Sequence, residues 1–216
     1  MKLKYAVAGA GALTLALAGP ALATGKATNV AVGGSTAAGS HPITAASTTA
    51  LTFAAEKTDG TFLTMNCSSA NVPASPASTV SSGTGLVTIA KINKVNFVSC
   101  TGPGGTLTVT TSGSWLVHRT GGTITSAQTD TLPGHIEKIT ANVGNLVCKF
   151  TVTGQAKGSV SEKAQTLKVA ETATTAKGLV VSNITGCGGQ LKSGGKAKFS
   201  GTFKITSPDG AINAVP

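Results

Sequence analysis

From residue 196 to 206 the chain reads KAKFSGTFKIT, and apolar and polar positions alternate without a break. Ala197, Phe199, Gly201, Phe203 and Ile205 stand against Lys196, Lys198, Ser200, Thr202 and Lys204. A period of two sustained over that length predicts a strand with one buried face and one wet face. Residues 108–118 alternate in the same register. Val109, Thr111, Gly113, Trp115 and Val117 are expected to face the core, with Thr108, Thr110, Ser112, Ser114, Leu116 and His118 outward. Shorter runs of the same kind occur at 61–65, 85–90, 95–99, 123–126, 136–141, 146–153, 164–170 and 179–184, separated by Gly, Pro, Asn and Ser. Many short strands at close spacing predict a sandwich or a barrel. Residues 68–84 contain Pro73 and Pro76, which cannot occupy a central strand, and read as a surface loop. Residues 24–48 have small side chains and weak periodicity, and read as a flexible arm or an edge strand.

The alternating runs come in pairs. SGSWLV at 112–117 is echoed by SGTFKI at 200–205, and VNFVSCTGPGG at 95–105 by SNITGCGGQ at 182–190. The same order of elements appears twice, so the predicted fold is all-β: a duplicated antiparallel β-sandwich-like repeat, 49–120 and 121–216. Trp115 and Phe203 become equivalent core anchors, and Gly113 and Gly201 mark a bulge or a close backbone approach. The four cysteines then pair within the repeats, Cys67 with Cys100 and Cys148 with Cys187, one bridge in each.

An even cysteine count suits an oxidising compartment, and the N-terminus agrees. Lys2 and Lys4 precede an apolar run from Ala6 to Ala18 that ends in Ala21-Leu22-Ala23, the pattern of a secretory signal over 1–23 with cleavage near Ala23. The chain is therefore expected outside the cell or at its surface. That run is too short to span a bilayer, and no later segment approaches the roughly 20 apolar residues of a transmembrane helix.

Only 11% of residues are charged, against a usual share of about 25%. The formal net charge of +10 is unevenly placed. Residues 24–137 hold five basic groups and four acids, and residues 138–216 hold ten lysines and three acids. Lys196, Lys198 and Lys204 line the outward face of the 196–206 strand, with Lys192 just upstream. Two readings stay open for them: an edge strand guarded by lysines against unwanted pairing, or a surface for an anionic partner such as a cell-wall polymer or lipid headgroups. With one Arg and few aromatics, nucleic acid is not expected.

Catalytic and metal signatures are not found. There is no Gly-x-Ser-x-Gly string and no phosphate loop. His41, His118 and His135 are far apart in sequence and lack metal-ligand spacing. Asp130 and Glu137 flank Pro133-Gly134, read as a turn across which the two carboxylates could meet. No catalytic residue and no cofactor is assigned. The expected function is that of an exported, non-catalytic envelope or extracellular protein with a structural, adhesive or binding role. A membrane-inserted β assembly resembling a pore or porin is the alternative, and a secreted enzyme comes third.

Three segments, FVSCTGPGGTLTVTTSGSWLV, NLVCKFTVTG and LVVSNITGCGGQLKSGGKAKFSGTFKI, cover most of residues 60–206. They resemble secreted actinobacterial Thr/Gly-rich proteins with paired-Cys β repeats. A fainter similarity is to the alkane-oxidation-activator family, which also places a Trp-containing strand shortly after a Cys. The resemblance implies export and a β fold, and brings no catalytic set.

Overall fold

The computed structural model describes residues 25–216; the expected signal at 1–23 lies outside them. The alternating runs form strands: β1 Thr28–Val32, β2 Gly39–Ser47, β3 Leu51–Glu56, β4 Phe62–Val72, β5 Ser78–Leu86, β6 Thr88–Ile92, β7 Asn96–Gly102, β8 Gly105–Thr111, β9 Trp115–Arg119, β10 Thr131–Gly144, β11 Cys148–Ser161, β12 Thr166–Glu171, β13 Leu179–Gly186, β14 Lys196–Thr206 and β15 Ile212–Val215. A single 3-10 turn covers Cys187–Gly189.

These strands close into a ten-stranded antiparallel barrel with extra strands, not into the expected sandwich. β2 with β3, β4 with β5, and β8 with β9 each run on along one line of the wall. β6 and β7 bridge β4/β5 to β8/β9, and β12 and β13 bridge β11 to β14. Two seams complete the ring: β2 and β3 pair with β14, and β8 and β9 pair with β10. Alternation specifies a dry face for each strand but not whether the sheet closes. Closure comes from β10, β11 and β14, which run past two successive neighbours on a side, and from bulges that coil the wall. One bulge lies at Glu137–Lys138, where pairing with β11 slips by a residue and Lys138 takes φ 56°.

The dry faces meet inside the barrel. Leu51, Met65, Trp115, Ile136, Phe150, Val181 and Phe203 belong to one buried cluster with all four cysteines. Both bridges form with the pairing expected from the echoed segments, Cys67–Cys100 and Cys148–Cys187. Cys67 and Cys100 are direct cross-strand partners of β4 and β7. Outside the ring, β1 lies between β5 and β15 over a smaller cluster of Val30, Val32, Ile43 and Val80.

Several expectations need correction. Residues 24–48 are not a flexible arm: they hold β1 and β2, and β2 is a wall strand hydrogen-bonded to β14, β4 and β5. The first half of the wall accordingly starts near residue 39, ahead of the expected boundary at 49. Residues 68–84 are mostly strand, with only the Pro73/Pro76 segment between β4 and β5 left as a loop. Residues 123–126 form no strand. The run 108–118 breaks at Ser112–Ser114, where Gly113 takes φ 71° and the register against β10 slips by one residue, the expected bulge. Gly201 is the other case, a close approach: a Cβ there would lie 2.5 Å from Leu51 Cδ2.

Among the described strands, β15 alone has a single strand neighbour. Its outer backbone groups are taken up by side chains from the β11–β12 turn. Ile212 N–H donates to Gln165 Oε1 at 2.8 Å, and Gln165 Nε2 donates to the Ile212 carbonyl at 2.9 Å. Ala214 N–H donates to Glu162 Oε1, whose other oxygen accepts from Asp130 N–H at 2.9 Å.

Candidate functional site

β14 carries its lysines in the middle of the wall. It is hydrogen-bonded to β12 and β13 on one side and to β2 and β3 on the other, so the edge-guarding reading fails. Its alternation holds: Ala197 and Phe203 are buried, and Lys196 and Lys204 are exposed. Lys192, Lys196 and Lys198 come together at one open depression of about 460 Å³, together with Glu56, Phe62 and Thr172–Thr174. Lys192 Nζ donates to Glu56 Oε1 at 2.8 Å, and the Lys196 N–H donates to Oε2 at 2.8 Å. These two contacts hold the Glu56 carboxyl below its ordinary range, the Lys192 ammonium first. The Lys198 ammonium stands 3.8 Å from the centre of the Phe62 ring, a cation–π contact. Lys204 is outside the depression and donates to the Ala164 carbonyl at 2.6 Å. Three ammonium groups against one carboxylate, beside an aromatic face, suit an extended anionic ligand. Nearby, Asp59 accepts from the Thr61 hydroxyl and N–H and pairs with Lys57, which pulls its pKa down to about 2.

The three histidines do not remain apart. Antiparallel pairing sets His118 of β9 opposite His135 of β10, and their rings stack with centroids 5.2 Å apart. Glu137, two residues along β10, shares that face. Its Oε1 accepts from His135 Nε2 at 2.9 Å, and its Oε2 lies 3.3 Å from His118 Nε2. Sequence spacing missed this group because only strand register creates it; the one local signal was the i, i+2 pair His135/Glu137 on an alternating strand. Pro133-Gly134 is not a turn but part of β10, and Asp130 does not meet Glu137. Its carboxylate accepts instead from the Thr125 N–H and hydroxyl.

His41 has a different setting. Its Nδ1 pairs with Asp209 Oδ2 at 2.7 Å and its Nε2 with Ser82 Oγ at 2.9 Å, the connectivity of a serine–histidine–carboxylate triad. The proton is in the wrong place for that chemistry. Ser82 Oγ donates to the Ala37 carbonyl, so its one hydrogen is not offered to Nε2 for abstraction. Ser82 is also 97% buried, at 3% relative exposure. The group ties β2, β5 and the β14–β15 turn together.

The barrel interior is a packed core. Its apolar cavities measure about 60, 80 and 60 Å³, well below the roughly 300–1,000 Å³ of an ordinary small-molecule site. Trp115 lines two of them, one alongside Cys67 and Cys100, and its Nε1 is buried without an acceptor among the described residues. Comparison with protein-family models, with curated proteins and with solved structures finds no match to this chain.

Proposed function

We propose that the chain is an exported, non-catalytic β-barrel protein of the cell envelope or medium that binds an anionic polymer through Lys192, Lys196 and Lys198. The observation that carries this reading is the central position of β14. A lysine row on a strand paired on both sides has no edge to guard, and three of the four lysines meet at one concavity. Two disulfides suit an oxidising extracellular environment. The distribution of side chains opposes the pore alternative. Thr106, Thr108 and Thr110 of β8, Lys149 of β11 and Lys196 and Lys204 of β14 are exposed on the outer wall while the inside is apolar, the reverse of a transmembrane barrel.

Retention on a polyanion resin such as dextran sulfate tests it. The Lys196→Ser, Lys198→Ser double variant should elute at clearly lower salt than wild type, and Lys204→Ser should elute with wild type. Equal elution of all three would remove the polymer reading, and release of dye from anionic liposomes would favour the membrane alternative. A fluorophosphonate probe should leave Ser82 unlabelled; stoichiometric labelling would make the protein a hydrolase.

A further inference from the structure

The His118–His135–Glu137 group has a hydrogen-bond economy that its own atoms do not complete. His118 Nδ1 sits 3.0 Å from the Val87 carbonyl oxygen. A carbonyl only accepts, so Nδ1 carries the hydrogen and the Nε2 lone pair of the neutral ring points away from it. That Nε2 is buried, lies 3.3 Å from a carboxylate oxygen, and makes no hydrogen bond with it or any other described group. In the neutral ring a lone pair faces a carboxylate oxygen, which is repulsive, and a buried nitrogen without a partner is unfavourable. Something positive belongs between them. The donor atoms of the three residues all lie within 4.8 Å of one another. Those of a tetrahedral ion with bonds of about 2.1 Å stand roughly 3.4 Å apart.

We propose that His118, His135 and Glu137 form a binding site for a divalent transition-metal ion, with Zn²⁺ as the probe. His118 binds through Nε2, oriented by its Nδ1–H on the Val87 carbonyl, the outer contact that metal-binding histidines ordinarily make. His135 binds through Nε2, whose hydrogen, now given to Glu137, is exchanged through solvent for one on Nδ1 when the ion enters, so the ring binds as a neutral imidazole. Glu137 supplies one carboxylate oxygen, and as the most exposed member, at 17% of its side chain, it is the side from which the ion arrives. Two imidazoles and a carboxylate suit zinc, nickel or copper and disfavour calcium and magnesium, which take oxygen ligands. The local fold builds the site: register aligns the two histidines, and the Glu137–Lys138 bulge sets the carboxylate beside them.

The test uses the oxidised chain without a histidine tag, stripped with chelator and titrated with ZnCl₂ by calorimetry. One ion per chain is expected. His118→Gln and Glu137→Gln should each weaken binding at least tenfold, while His41→Gln should leave it unchanged. NMR of the wild-type imidazoles needs no variant and covers the case in which a substitution fails to fold. Added Zn²⁺ should shift the His118 and His135 resonances and not those of His41. Absence of binding, or binding that moves His41 and spares His118 and His135, overturns the proposal.

Discussion

At the residue scale, the identities that carry most information are those whose partner is far away in sequence. The four cysteines could be paired from spacing because the segments around them repeat. His118 could not be paired with His135, since the one read as an outward strand position and the other lay beside the expected Pro133-Gly134 turn. Both are buried, and they line up only through the β9–β10 register. Trp115 was legible as a core residue, but nothing in its neighbours told that its N–H would be left without an acceptor. This predicts an unusual pair of outcomes. Trp115→Phe discards an unmet donor and keeps an aromatic ring, so stability should stay within about 1 kcal/mol of wild type. Trp115→Ala opens a large cavity between the apolar ones and should cost about 3–5 kcal/mol. Since this is the only tryptophan, urea unfolding has to be followed by circular dichroism.

At the element scale, alternation located most strands and mistook their lengths. β4 and β5 run through the Ser/Ala/Pro-rich region because Cys67, Ala70, Val72 and Val80 are buried, and the buried hydroxyls of Ser78 and Ser82 find partners in the Asn93 N–H and the Ala37 carbonyl. Low-periodicity residues 39–47 are strand because neighbours on both sides supply the hydrogen bonds that their own pattern does not advertise. Each bridge fastens neighbouring strands of one half of the wall, with separations of 33 and 39 residues. Loop entropy makes the two nearly equal, about 4 kcal/mol each. Replacing either pair by serine should therefore lower stability by similar amounts, measured by denaturant midpoint. A several-fold difference would mean that one half of the wall holds structure in the unfolded chain.

At the scale of the whole molecule, all-β architecture and the uneven charge were legible, and closure was not. The order of pairing within 39–119 recurs within 131–206, and each half pairs its first wall strand with the last of the other. The same closure bears on how the protein behaves at high concentration. Among the described strands β15 alone has a single strand neighbour, so its outer side is the plainest place to recruit a second chain, and Glu162 and Gln165 already occupy it. Glu162→Ala with Gln165→Ala should leave the initial circular-dichroism spectrum unchanged and produce a slow rise in light scattering that wild type does not show. On this view two polar side chains at a turn govern shelf life: they keep a strand-rich, thinly charged chain from seeding fibrils of itself.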